Sequence, residues 1–158
     1  MRPIDRIDAQ ILELLQKNAR SSNKELAAHV GIAQSTCLER VRRMVSEGIL
    51  RGFHAEVAPE ALGIGIEALI AVQLSKHQRE AVESFQEHTL SLAEVLALFH
   101  MAGENDFLVH VAVHDAAALR ELAMTAFASR PEVVHLQTML IFQHQSSHSL
   151  PVYCRFED

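Results

Sequence analysis

The sequence has no tryptophan and one tyrosine, Tyr153, and aromatic residues make up only 5% of its 158 positions. Any core must therefore be assembled from aliphatic side chains and seven phenylalanines, which pack by shape and area rather than through polar-tipped rings. Two cysteines, Cys37 and Cys154, stand far apart with no CxxC pair and no cysteine–histidine cluster. That excludes a disulfide framework and a structural zinc site of the usual kind and leaves two reduced thiols. No apolar run approaches the roughly 18 residues that a membrane-spanning helix needs. The opening Met1-Arg2-Pro3-Ile4-Asp5 has no apolar stretch of a secretory signal, so a cytoplasmic protein with no membrane partner is expected. Positive charge is also scarce: 14 Lys and Arg stand against 20 Asp and Glu, for a formal net charge of -6.

What positive charge there is lies near the front. Residues 1–52 hold nine Lys and Arg against six Asp and Glu, while the remainder holds five against fourteen. A head of net +3 on a body of net -9 suits a head that meets a polyanion and a body with another task. The stretch GIAQSTCLERVRRM, Gly31 to Met44, concentrates Arg40, Arg42 and Arg43 with the single acid Glu39.

Apolar spacing in the head is helical. Ile7, Ile11, Leu14 and Leu15 form an i, i+4, i+7, i+8 stripe behind Asp5 as a cap. Ser22 and Glu25 have capping-box spacing, and the helix they open carries Leu26, Ala27 and Val30 inward and stops at Gly31. A third helix is expected from Gln34 to Glu47, with Cys37, Val41 and Met44 inward, Leu38 and Val45 widening that stripe, and Gly48 as the stop. Three helices, two of them joined by a tight glycine turn, predict a helix-turn-helix. The inward phase of Cys37 favours a packing role over a redox sensor.

Beyond Gly48 the pattern changes. Ile49 to Val57 is β-leaning, and Pro59, Gly63 and Gly65 punctuate a connector. The expected organisation is a head at 1–52, a linker strand and connector at 53–65, a sandwich at 66–145 and a tail at 146–158. Within the sandwich Ala68–Leu74, Val95–Met101, Phe107–Val113 and Val133–Gln143 read as strands, and Arg79–Thr89 and Ala116–Ala128 as helices. The order β-α-β-β-α-β predicts an α+β fold: a ferredoxin-like sandwich whose four antiparallel strands carry both helices on one face. The other face would expose Leu108, Ala112, Met139 and Ile141, too apolar to stay wet, so a second copy is expected to cover it.

These residues resemble the leucine-responsive and asparagine-regulator (Lrp/AsnC, or feast/famine) family of transcription regulators over nearly the whole chain. The landmarks are Ile7-Asp8 with Ile11-Leu12, Asn18-Ala19-Arg20, Ser22-Asn23 with Glu25-Leu26-Ala27, Val30-Gly31-Ile32, and Cys37 to Arg43. Glu47-Gly48-Ile49-Leu50 with Gly52-Phe53 closes the head, and Gly103-Glu104-Asn105-Asp106-Phe107 marks the second half. The resemblance implies a (winged) helix-turn-helix head that binds double-stranded DNA. It also implies a sandwich that dimerises through its sheet, assembles to tetramers or octamers, and holds an amino-acid effector between dimers. One departure is Ala33, where the family usually has a serine cap; its loss costs roughly 1 kcal/mol unless Ser35 or Thr36 caps a slightly later start.

In a helix-turn-helix the second helix enters the major groove with its first residues at base edges. Gln34, Ser35 and Thr36 stand there, Arg40 can take guanine or a phosphate, and Glu39 joins the DNA-facing set. Arg43 and Arg51 serve as phosphate anchors, and the Ser22-Asn23 helix start offers backbone N–H groups. The plainer alternative is a solvated helix in which Glu39 and Glu47 pair with Arg43. For the effector, the loop Gly103, Glu104, Asn105, Asp106 supplies N–H groups for a carboxylate, with Asp106 or Glu104 for the ammonium. Met101, Leu136, Thr138 or Met139 would line a side-chain pocket; the alternative is a plain β-hairpin. His110 and His114, about 13 Å apart along a strand, cannot share an ion. His144 and His148 have no thiolate or carboxylate beside them, so no metal site and no cofactor are expected. The tail from Leu150 to Phe156 reads as a final edge strand that supports oligomer contacts. No phosphate-binding glycine loop, nucleophile elbow or acid/base pair supports an enzyme. A metal- or redox-responsive repressor with the same head is the other alternative.

Overall fold

The computed structural model describes residues 3–75, 79–147, 149–154 and 156. Arg2, Arg155 and His148, one half of the His144–His148 pair, lie outside the described residues. The chain divides into two units: residues to Glu56 together with those from Gln145 onward, and Val57–His144.

In the first unit α1 spans Arg6–Lys17, α2 Asn23–Val30 and α3 Gln34–Ser46. Both of the first two are closed at the start by reciprocal caps, Asp5 with Asp8 and Ser22 with Glu25. Helix α2 ends at Gly31, whose φ of +74° is the left-handed turn that glycine adopts without a Cβ clash. Helix α3 starts at Gln34 from an Ala33 cap that provides no side-chain hydrogen bond, so neither Ser35 nor Thr36 delays it. Ile11, Leu15, Leu26, Ala27, Cys37 and Met44 form the buried centre, with Val41 and Val30 against it. Val45 does not widen the inward stripe: it is 47% exposed, because one residue beyond Met44 turns about 100° around the helix.

The β-leaning stretch Ile49–Val57, which runs into the linker strand expected within 53–65, forms no strand. Ile49 and Leu50 donate back to the Met44 carbonyl and pack on the head core, and 51–58 carries no regular element and pairs with no strand among the described residues. The tail differs for the same reason. Residues 149–154 form no strand, and Leu150 and Tyr153 are exposed. The Leu150 N–H donates to Gln16 Oε1 of the head at 2.7 Å.

The second unit opens with a 3-10 turn, Pro59–Leu62. There follow β1 (Ile66–Leu74), α4 (Arg79–Ser91), β2 (Val95–His100), β3 (Phe107–Val113), α5 (Ala116–Leu122) and β4 (Val133–Ile141). The sheet order is β2-β3-β1-β4 with every pairing antiparallel, the α+β ferredoxin-like topology. Ala68, Ile70 and Val72 alternate toward the helices, opposite Val111, Val109 and Phe107 of β3. They bury with Phe85 of α4 and Leu119, Leu122 and Phe127 into one core. The helix expected to run unbroken from Ala116 to Ala128 instead widens into π winding at Ala123–Ala128, and His88 of α4 bonds the Ala126 carbonyl at 2.9 Å. Strand β4 ends at Ile141, two residues short of the expected Gln143.

Candidate nucleic-acid interface and ligand loop

Gln34, Ser35 and Thr36 occupy the first turn of α3 and are exposed, as is Glu39. Arg40 and Arg43 are not on that open face. Arg40 Nη1 donates to Asp5 Oδ2 at 2.6 Å and to Asp8 Oδ1 at 2.9 Å, and Arg43 Nη2 donates to Asp8 Oδ2 at 2.5 Å. Asp8 is 1% exposed, and the two arginine side chains only 25% and 22%. Both arginines, expected to read bases or anchor phosphates, are held here between α1 and α3. The physical reason is a buried carboxylate on α1 that must be paired and draws both guanidinium groups inward. Arg43 Nη1 also faces Glu47 Oε2 at 3.6 Å, the i+4 partner anticipated in the plainer alternative.

The same contacts set the electrostatics. Partial burial pushes the Asp5 carboxyl up, but the Arg40 hydrogen bond, the Asp8 and Ile7 N–H groups and the Arg40 charge outweigh it and leave it below its ordinary value. The Asp5 hydrogen bond, against the cost of burial and with help from Asp8, holds Arg40 above its ordinary value. Burial raises the Cys37 thiol despite the nearby Arg40 charge, which matches a packing cysteine.

Ser22 is likewise drawn into structure. Its N–H donates to Glu25 Oε2 at 2.7 Å and its hydroxyl accepts from the Glu25 N–H. Asn23, in the first turn, keeps a backbone N–H that no intrahelical carbonyl reaches. Arg51 is exposed. Arg42, which was left out of the expected set, is exposed as well. A signal was present: Arg42 follows Ser35 by seven residues and Glu39 by three, one stripe of a 3.6-residue helix.

In the second unit Met101, Gly103, Glu104, Asn105 and Asp106 form one connected loop between β2 and β3. Gly103 has a φ of +149°, open only to glycine at low cost. Asp106 is buried and faces inward. Its Oδ2 accepts from the Leu74 N–H at 2.7 Å, its own N–H donates to the Val72 carbonyl, and its carbonyl accepts from Met101. Asp106, expected to meet an ammonium, ties the loop to β1 through these bonds, and Glu104 is the exposed carboxylate there.

Leu136 and Thr138 do not join this loop within one chain. Leu136 lies opposite Val72, with Phe107 on the far side of β1, about 10 Å across two strand spacings, and it packs on the helix-side core. Met139, opposite Leu69, points to the other face. On that other face His110 Nε2 meets Glu67 Oε2 at 2.7 Å, and the His144 ring stands edge-on to His110 at 5.6 Å. Among the described residues no three His, Cys, Asp or Glu side chains converge as metal ligands would. A cleft of about 530 Å³, lined by Leu62, Ile64, Leu92, Glu94, His114 and Glu121 among others, opens at the opposite end of the β2–β3 hairpin and was not foreseen. Its walls come from segments distant in sequence, with no motif to join them.

Residues 4–51 match the winged helix-turn-helix DNA-binding family, and residues 67–150 match the Lrp/AsnC ligand binding domain. The regulator AldR of Mycolicibacterium smegmatis is 40% identical over 143 residues, covering 90% of this chain and 84% of its own length. The leucine-responsive regulatory protein of Escherichia coli is 31% identical over 140 residues, 89% of this chain and 85% of its own. Among solved structures, a transcriptional regulator of Neisseria meningitidis in complex with L-methionine superposes with a TM-score of 0.84 at 30% identity, covering 96% of this chain and 98% of that one.

Proposed function

The chain belongs to the Lrp/AsnC family of DNA-binding transcriptional regulators, and from that membership we propose that an amino acid held at the β2–β3 loop controls its assembly and its grip on duplex DNA. It is a regulator with a helix-turn-helix head and a ligand-binding domain, not an enzyme. The observation that carries the effector reading is the Neisseria relative with L-methionine bound, similar over almost the whole chain. In this chain the exposed N–H groups around Gly103 suit an α-carboxylate, and exposed Glu104 suits the ammonium. Buried Asp106 keeps that loop in place. Because Leu136 and Thr138 are distant from the loop in one chain, they contribute to the pocket only if it is shared between copies.

On the DNA side, Gln34, Ser35 and Thr36 meet base edges while the Asn23 N–H and Arg51 hold phosphates. The sheet face that carries Phe99, Leu108, Met139 and Ile141 is covered by a second copy, and dimers assemble further. Titration calorimetry of the full chain against each proteinogenic amino acid is the test. At least one of them gives saturable heat and shifts binding to duplex DNA; a flat trace from all of them overturns the effector reading.

A further inference from the structure

Arginine content alone does not say which cations reach DNA. A guanidinium between two carboxylates offers its charge to a phosphate only by leaving them. In α3 the residues four and seven beyond Thr36 are Arg40 and Arg43, and these two turn toward α1, where Asp5 and Asp8 take both guanidinium groups. If Arg40 and Arg43 swung out, they would strand Asp8, which is 1% exposed, as an unpaired buried charge. The two arginines and the two aspartates also cancel in charge, so this quartet adds little to the field outside the head.

The neighbouring stripe, Ser35, Glu39, Arg42 and Ser46, is exposed along its length. It begins in the same first turn as Gln34 and Thr36, and Arg42 follows Ser35 by about 10 Å of helix rise, within the span of a major groove. Arg42 has no ion-pair partner among the described residues. It is an arginine that meets a phosphate or a guanine by displacing only water.

We propose that Arg42 is the arginine that α3 carries to DNA, while Asp5 and Asp8 act as positioning residues that hold Arg40 and Arg43 as an internal brace between α1 and α3. This rests on the DNA-binding reading of α3 given above. It exchanges the roles of neighbouring arginines: the cation outside the expected set makes the contact, and the two in the centre of the motif fix the angle at which the helix is presented.

The experiment is a salt titration of the full chain on a fluorescein-labelled, mixed-sequence duplex of about thirty base pairs, read by anisotropy beside thermal melts of each variant. The slope of log affinity against log salt counts displaced counterions. Arg42→Ala lowers that slope by about one and weakens low-salt binding several-fold with an unchanged Tm. Arg42→Glu weakens it further. Arg40→Gln lowers the Tm and, assayed well below its melting point, keeps the wild-type slope. The inference is overturned if Arg42→Ala binds with the wild-type slope, or if Arg40→Gln loses a unit of slope with its Tm intact. A wild-type protein that binds no duplex even at low salt sinks the DNA-binding reading itself, a result distinct from either of those.

Discussion

Ala33 shows what a single side chain leaves undone. Its backbone has the extended geometry of a helix cap, with φ of -66° and ψ of 145°, but no side-chain oxygen accepts from the first turn of α3. The other two head helices are each closed by a capping box. Ala33→Ser restores an acceptor for the Ser35 or Thr36 N–H and raises stability by about 1 kcal/mol in urea unfolding at neutral pH. An unchanged midpoint would mean that water already satisfies those groups as well as a serine can. Cys37 belongs to the same scale: its helical phase was enough to place it inward, and it is fully buried with a raised thiol. The partners of Arg40 and Arg43 were not legible at this scale, since nothing local to them says that Asp5 and Asp8, more than thirty positions earlier, will be underneath.

Between elements, that brace joins α1 to α3 and makes the head sensitive to acid. Asp5 titrates below its ordinary value of 3.8, so its ion pair stabilises the fold fully above that value. The contribution is lost as pH falls from there through the lower folded-state value. Thermal melts of the full chain between pH 7 and pH 3 should therefore show a loss of stability below about pH 4 that is shallower in Asp5→Asn. Equal steepness in the two proteins would remove Asp5 as a source of the acid response. The head helices are legible in the sequence nearly to the residue, because caps, glycine stops and the 3.6-residue stripe are local signals carried by Asp5, Ser22, Gly31 and Gly48. Strands carry no such self-sufficient local signal. Ile49–Val57 and the tail have β-leaning composition, yet a strand exists only where another segment pairs with it along a ladder, and among the described residues neither is assigned to one. The π winding at Ala123–Ala128 likewise had no sequence signal that was recognised.

Over the whole molecule, the sheet has one face filled by α4 and α5 and another on which Phe99 is 50% exposed beside Leu108, its partner across β2 and β3. Phe99→Glu places a charge in that apolar face and should shift the protein to monomers in sedimentation velocity, with its circular dichroism retained. Unaltered assembly would place the contact between copies elsewhere. The alternation along β3 and the order β-α-β-β-α-β were determined by sequence alone, as were the three head helices, the boundary between basic and acidic halves, and the loop at Gly103. All of these depend on spacing or composition within about twenty residues. Tertiary structure alone decided which charges are free: Arg40 and Arg43 turned inward to Asp8, Asp106 turned inward to Leu74, and Arg42 and Glu104 left outside. It also decided that Leu136 and Met139 lie on opposite faces and that a cleft opens between Glu94 and Glu121. The physical reason is common to these cases. A buried charge or a strand edge takes whatever partner the fold brings within about 3 Å, and that proximity is a property of the folded chain, not of any local stretch of it.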